Sequence, residues 1–155
     1  MDGEDLGGID EHPFAVGSRK MAQEPGAYLP DQVIALDMVG GDDMRLNLEM
    51  NSLLSSRQGA GILFDLFVLG RSMGLAPFFD GSPHSIYSDH GPWLEAGVPA
   101  ALLIDIEYPQ WHTQQDLPGF CSASSLEAVG RVLERYLVEE GDHPKIRPGR
   151  CPGRP

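Results

Sequence analysis

Two adjacent acids, Glu4 and Asp5, lie near the start of the chain between Gly3 and Gly7. Adjacent carboxylates in a tight turn point in different directions. One of them can therefore bind a metal ion while its neighbour faces a metal-bound water. The alternative interpretation is that the two acids belong to a solvated, acidic N-terminus.

A third acid, Asp37, is the one charged residue at the end of an apolar run, VIALDM, at residues 33–38. A carboxylate at the end of a buried strand must be hydrogen-bonded or bound to a metal, because burying it without a partner is costly. The alternative is a structural acid that caps a neighbouring loop.

A histidine, His112, lies between a bulky aromatic residue and a hydroxyl in the run YPQWHT at residues 108–113. A lone histidine is more often a surface or core residue than a ligand. Considered together with the acids, however, His112 completes an Asp, Glu and His set from separate loops. Zinc accepts this set of ligands.

Other catalytic patterns are not found in the chain. No Gly-x-Ser-x-Gly elbow and no phosphate-binding glycine loop occurs. Ser88, Asp89 and His90 are consecutive, so they cannot form a hydrolase triad on one face. The sequence therefore favours metal chemistry over a serine nucleophile.

The elements that must position these residues alternate between strand and helix, which indicates an α/β layer structure. Residues 33–38 are predicted to form a buried strand, residues 45–50 a strand with one face exposed, and residues 100–104 a strand that begins after Pro99. A helix is predicted at residues 55–73, with an inner face made of Ile62, Leu63, Leu66, Phe67 and Leu69.

The last predicted helix starts at a capping box formed by Ser124 and Glu127. Its apolar residues recur at helical spacing: Leu126, Val129, Leu133, Tyr136 and Leu137. The residues after it, 141–155, are rich in Pro, Gly and Arg and are predicted to be a disordered tail.

The acidic turn DGEDLGG at residues 2–8 has no strand before it. Reactive loops of α/β sheets follow the carboxyl ends of strands, so we expect residues 1–140 to be the C-terminal part of one domain. The N-terminal part of that domain is expected to be missing.

Composition limits the partners. The net charge of -12 disfavours nucleic acid and anionic membranes, and no apolar run is long enough to span a bilayer. The acidic start does not resemble a signal peptide. Two cysteines are too few for a disulfide framework or a cysteine zinc cluster. The sequence leaves localisation and oligomeric state open.

Several segments in a fixed order resemble metallopeptidase family twenty-eight, which contains di-zinc aminopeptidases and glutaminyl-peptide cyclotransferases. The segments are DGEDLGG, GSR at 17–19, ALDMVG, YSDHGPWLEAGVPA and YPQWHT followed by Asp116. The match extends from Asp2 to about Leu137. The resemblance implies a mixed central sheet sandwiched by helices, one or two zinc ions and a peptide substrate.

The resemblance also assigns roles. Glu4 matches the general base that deprotonates the metal-bound water. Asp5 and His112 match ligands of one zinc, and Asp37 resembles the acidic ligand of the other. Trp111 resembles the aromatic wall of the cyclase substrate pocket, and Ser88 with Asp89 corresponds to a substrate-binding run.

Two departures from the family pattern bear on function. The family's first zinc motif, a His and two Asp residues, belongs upstream of DGED and is not found here. Neither zinc would then have the three protein ligands that catalytic zinc usually has. In addition, cyclotransferases tend to carry an acid at the position of Ser88, whereas the serine form is commoner among the peptidases.

Three functions follow as hypotheses. The first is a zinc-dependent exopeptidase of the aminopeptidase type that hydrolyses N-terminal peptide bonds. The second is a glutaminyl-peptide cyclotransferase that forms N-terminal pyroglutamate. The third is a non-catalytic fragment, which the missing ligands and the missing strand suggest for these 155 residues.

Overall fold

The computed structural model describes residues 7, 13–26, 29–75, 78–79 and 81–142. In chain order its elements are α1 (Val16–Gln23), β1 (Val33–Asp37), β2 (Leu48–Glu49), α2 (Met50–Ser55), α3 (Arg57–Ser72), β3 (Pro83–His84), α4 (Gly91–Glu95), β4 (Ala100–Ile104), a short 3₁₀ turn (Pro118–Phe120) and α5 (Ala123–Asp142).

Two parallel strand pairs form the sheet layer. β1 pairs with β4 from Val33 opposite Ala100 to Asp37 opposite Ile104, and β2 pairs with β3. The amide of Asn47, just before β2, donates to the carbonyl of Ile104 at 2.9 Å and links the two pairs. Because β1 and β4 are parallel, their carboxyl ends meet at one edge, where Asp37 lies.

Helices cover both faces of this layer. On one face α3 and α5 pack against β4 in the main core, and β4 itself is fully buried. On the other face a smaller core joins α1 and α4 to the start of β4 through Ala22, Trp93, Val98 and Ala100. This arrangement confirms the α/β class with helices on both sides of a sheet. Among the described helices none is long and apolar enough to span a membrane.

The strand predicted for residues 100–104 is confirmed, but the other two strand predictions need correction. β1 ends at Asp37 and is only half-buried, with Leu36 46% exposed, because β4 is its one partner among the described strands. The strand predicted for residues 45–50 shrinks to Leu48–Glu49. The chain leaves the strand there because the Glu49 carboxylate accepts two backbone N–H groups and caps α2.

The helix predicted for residues 55–73 is confirmed as α3, which covers Arg57–Ser72, and the shorter helix α2 ends just before it at Ser55. Ser56 lies between them in extended conformation, and its hydroxyl accepts the amide of Gly59 to start α3. The predicted inner face of α3 is confirmed: Ile62, Leu63, Leu66 and Phe67 are buried, and Leu69 packs against the core.

The capping box predicted at Ser124 and Glu127 is wrong, because α5 begins at Ala123 and both residues lie inside it. The predicted buried face is confirmed in part, since Val129 and Tyr136 are buried and Leu133 packs against the core. Leu126 and Leu137 are instead 51% and 60% exposed, and Ala128 and Val132 complete the buried face. The predicted tail, residues 141–155, lies outside the described residues apart from the end of α5.

Gly70 provides a test of how closely α3 packs. A Cβ added there would lie 2.5 Å from ring atoms of Phe79, a fully buried residue whose ring packs edge-on against Phe67. We expect Gly70→Ala to lower the free energy of unfolding by about 1–3 kcal/mol, because overpacking outweighs the gain in helix propensity.

The control is Gly61→Ala in the same helix, where an added Cβ meets nothing within 4 Å. This variant should be more stable by roughly 0.5–1 kcal/mol. Urea unfolding followed by circular dichroism measures both changes. Equal stabilisation of the two variants would contradict the close contact between α3 and Phe79.

Candidate active site

The first contact of the candidate site joins Asp37 to Ser88. The Ser88 hydroxyl donates to Oδ2 of Asp37 at 2.9 Å, and Ser88 is 2% exposed. Asp37 is half-buried at the carboxyl end of β1. The burial of Asp37 is therefore compensated by a hydrogen bond, as the sequence required of a carboxylate at this position.

The segment that carries Ser88, residues 86–90, is held from the outside by α1. The Ser18 hydroxyl donates to the backbone carbonyl of Asp89 at 2.5 Å. Arg19 donates to the Tyr87 hydroxyl at 2.6 Å and to Glu95 at 2.8 Å, and the Tyr87 hydroxyl donates to Glu95 at 2.8 Å. Burial and the Glu95 hydrogen bond raise the pKa of Tyr87 to about 12, so Tyr87 stays a neutral donor.

The same segment is also held by a contact between its own His90 and Glu49, and both side chains are fully buried. His90 Nε2 lies 3.0 Å from Oε2 of Glu49. Burial raises the pKa of the Glu49 carboxyl, but hydrogen bonds from His90, Asn51 and Ser52 outweigh burial and lower the pKa to about 2. Since an ionised carboxylate can only accept, the proton of this contact belongs to His90 Nε2.

His112 and Trp111 lie in the loop after β4. Their rings are 4.6 Å apart, and Trp111 is 40% exposed. The loop makes two tight turns. The amide of Trp111 donates to the carbonyl of Tyr108, and the amide of Thr113 donates to the carbonyl of Gln110. The Tyr108 hydroxyl donates to Asp116 at 3.0 Å and closes it.

Backbone strain occurs at one candidate ligand, His112, and at the residue that follows another, Asp37. Within the described residues, non-glycine residues with positive φ are Ala15, Met38 and His112, with φ of 55°, 49° and 56°. Such residues cost of order 1–3 kcal/mol and cluster at functional sites. Met38 directly follows Asp37, and His112 is itself a candidate ligand, which adds a structural observation to the assignment from sequence.

The predicted site residues are only partly brought together. Asp37 contacts Ser88, and Trp111 contacts His112, whereas Glu4 and Asp5 lie outside the described residues. In the described part of the chain no group of three or more His, Cys, Asp or Glu side chains could hold a metal ion. The Asp and His donors suit zinc chemically, but the described residues do not make a complete site.

Sequence reasoning missed the supports of the segment 86–90. The alternation in RLNLEM suggested a strand with an exposed polar face, and this interpretation hid the burial of Glu49. No local signal was present, since glutamate is not among the residues preferred at the N-cap of a helix. The pairing of Arg19 with Tyr87 and Glu95 joins distant parts of the chain and leaves no local pattern.

Comparison with known proteins decides the family, since the model of peptidase family M28 matches residues 1–137. The chain belongs to this family. A solved structure of Porphyromonas gingivalis glutaminyl cyclase is 25% identical, with a TM-score of 0.77 over 89% of this chain and 51% of its own. A Zn-dependent exopeptidase from Parabacteroides distasonis has a TM-score of 0.74 at 24% identity, over 83% of this chain and 46% of its own.

Among curated proteins, the glutaminyl-peptide cyclotransferase of Gloydius blomhoffii is 28% identical over 80 residues. These residues are 50% of this chain and 22% of the relative. The chain therefore covers about half the length of the solved family structures and a smaller part of this curated relative. The family and the fold expected from the sequence are confirmed, and zinc dependence belongs to members of the family.

The buried Glu49 carboxylate predicts a pH dependence of stability. Its pKa is lowered from the ordinary 4.5 to about 2, so its contribution is complete above pH 4.5 and is lost as the pH falls towards 2. This lowering of the pKa corresponds to a contribution of about 3 kcal/mol to the free energy of unfolding. In urea titrations we expect the difference in unfolding free energy between the wild type and Glu49→Gln to shrink as the pH falls from about 5 to about 3. A difference that stays constant over this range would contradict the lowered pKa.

Proposed function

We propose that the domain to which this chain contributes is a zinc-dependent exopeptidase of the aminopeptidase type, which hydrolyses N-terminal peptide bonds. The observation that carries this proposal is the hydrogen bond from Ser88 to Asp37. A hydroxyl that donates to a carboxylate stabilises the ionised form of that carboxylate and brings no second negative charge. A second acid at the same position would share a proton with Asp37 and weaken it as a ligand.

The proposed zinc ligands are Asp37, Asp5 and His112. A complete zinc site would need further ligands from residues outside the described part. Zinc, when bound, polarises a carbonyl group and acidifies water. Glu4 is proposed to take a proton from the attacking water and to deliver it to the leaving amine. The strained backbone at Met38 and His112 supports ligand roles for Asp37 and His112.

The proposed substrate is a peptide with a free N-terminus. Trp111 presents an exposed aromatic surface beside His112, suited to packing against the first side chain of the peptide. Asp89 follows Ser88 on the held segment, and a carboxylate there can pair with the peptide's ammonium group. The net charge of -12 favours such a cationic group and disfavours nucleic acid.

A second candidate function is glutaminyl-peptide cyclotransferase. Two points favour it: relatives are named glutaminyl-peptide cyclotransferase or glutaminyl cyclase, and Trp111 beside His112 resembles the aromatic wall of the cyclase pocket. The serine at position 88 speaks against it, because cyclotransferases tend to have an acid there. A chain that supports neither reaction would support the hypothesis of a non-catalytic fragment.

Replacement of the proposed base gives the experiment. The protein, in the longest form its gene encodes, is assayed with aminoacyl anilides and added zinc. We expect Glu4→Gln to reduce kcat by about 100-fold or more, because general-base catalysis contributes 10²–10⁴-fold.

Glu24→Gln, a change at an exposed glutamate, serves as the control and should retain full activity. Hydrolysis that survives in Glu4→Gln would rule out Glu4 as the base. Zinc content measured on both variants distinguishes a lost base from a lost metal.

A further inference from the structure

The carboxylate of Glu49 contacts both ends of the segment 86–90. Its Oε1 accepts the backbone amide of Ile86 at 3.3 Å, and its Oε2 lies 3.0 Å from His90 Nε2. Ser88 is the middle residue of this segment. One fully buried side chain therefore fixes the two residues that flank Ser88 at equal distance along the chain.

Further contacts keep Glu49 itself in place. The amides of Asn51 and Ser52 donate to Oε1 and Oε2 at 2.9 and 2.7 Å. The Ser52 hydroxyl donates to Oε2 at 2.8 Å and accepts the amide of Leu102 in the centre of β4. Glu49 is thus fixed to the start of α2 and, through Ser52, to the buried strand next to β1.

Hydrogen bonds to two backbone carbonyls of the segment, those of Ile86 and Ser88, hold it as well. Asn51 donates its side-chain amide to the carbonyl of Ile86 at 2.8 Å, and the Gly91 amide donates to the Ser88 carbonyl at 2.8 Å. Within the described residues His90 Nδ1 has no hydrogen-bond partner. Among the described residues, the contact with Glu49 is therefore the one polar interaction of the His90 ring.

From this geometry we propose that Glu49 and His90 are positioning residues, which hold the Ser88 hydroxyl against Asp37. The proposal rests on the proposed function only for the chemical role of Asp37. A carboxylate suits this task because two oxygens accept five hydrogen bonds, and each oxygen holds one end of the segment. Neutral glutamine cannot replace it, since its amide nitrogen donates where donors already point.

Hydrogen exchange measured by NMR tests the positioning without any need for activity. We expect Glu49→Gln to raise the exchange rates of the Ile86 and Gly91 amides at least tenfold more than those of α5 amides such as Val132. Glu127→Gln, an exposed change on α5, is the matched control and should alter none of them. A uniform rise across the chain would overturn the proposal, because it would indicate that Glu49 stabilises the whole fold and does not position this segment in particular.

A pair of substitutions at His90 covers the case in which Glu49→Gln does not fold. His90→Gln keeps an N–H group that can donate to Glu49, so we expect protection of Gly91 to be retained within about threefold of wild type. His90→Leu removes the donor and should lose that protection. Equal protection in the two variants would refute a role for the hydrogen bond.

Kinetics separates this proposal from the proposed function. If Glu49 acts through Ser88, kcat of Glu49→Gln/Ser88→Ala should equal that of Ser88→Ala within about twofold, because the two changes remove one interaction. Additive losses would overturn the positioning role. A wild-type protein without activity would count against the proposed function alone and would leave the exchange experiments decisive.

Discussion

Replacing Asp37 with asparagine is expected to reduce zinc-dependent hydrolysis by about 100-fold or more. Loss of a group that only orients a metal ligand costs up to about 100-fold, and loss of a ligand itself should cost at least as much. Asparagine keeps the shape of the side chain and can still accept the Ser88 hydroxyl, but it lacks the negative charge that a zinc ligand supplies. The fold should survive, because Asp37 is half-buried at the end of β1. Steady-state kinetics together with zinc content measures the effect.

Two comparisons make this prediction specific. Ser88→Ala removes only the donor to Asp37 and should cost less, roughly 10-fold to 100-fold in activity. Asp31→Asn neutralises an exposed acid in the turn before β1 and should cost nothing. If Asp31→Asn and Asp37→Asn lost activity equally, the effect would come from the charge of the surface, and the assignment of Asp37 as a ligand would fail.

Replacing Leu103 with alanine is expected to lower the free energy of unfolding by about 2–5 kcal/mol, the usual range for a buried leucine. Leu103 is fully buried in β4 and belongs to the main core with α3 and α5. Its strand also carries the pairing with β1, opposite Leu36. A cavity at this position therefore weakens both the core and the strand that presents Asp37.

Leu54→Ala is the matched control, since Leu54 is also a leucine but is 77% exposed. Its effect should stay within about 0.5 kcal/mol. Urea unfolding of both variants decides between the outcomes. Similar stabilities of the two variants would contradict the position of β4 at the centre of the fold.

What the sequence predicted well was local and periodic. β4 was delimited correctly because Pro99 excludes an earlier start and the apolar run AALLI is fully buried. The inner face of α3 followed from the 3.6-residue spacing. By contrast, the final helix began earlier than predicted, since serines on both sides of Ala123 offer similar start signals.

What the sequence could not predict depends on contacts between distant residues. Ser88 and Asp37 are 51 positions apart, and His90 and Glu49 are 41 positions apart. The order of family segments predicted Asp37, His112 and Ser88 as candidate site residues, but it did not indicate that Ser88 contacts Asp37. The capping role of Glu49 was hidden because its carboxylate serves α2 and the segment 86–90 at once.

The two enzymatic hypotheses give different products from one peptide with an N-terminal glutamine. Hydrolysis shortens the peptide by its first residue, whereas cyclisation keeps every residue and releases ammonia. The most direct measurement is mass spectrometry of such a peptide, incubated with zinc and the protein in the longest form its gene encodes. An alanine-initiated peptide of otherwise identical sequence is incubated in parallel.

The zinc exopeptidase proposed here should shorten both peptides, and Asp37→Asn should abolish the shortening. Loss of ammonia from the glutamine peptide alone, with the alanine peptide intact, would contradict the account and establish the cyclotransferase instead.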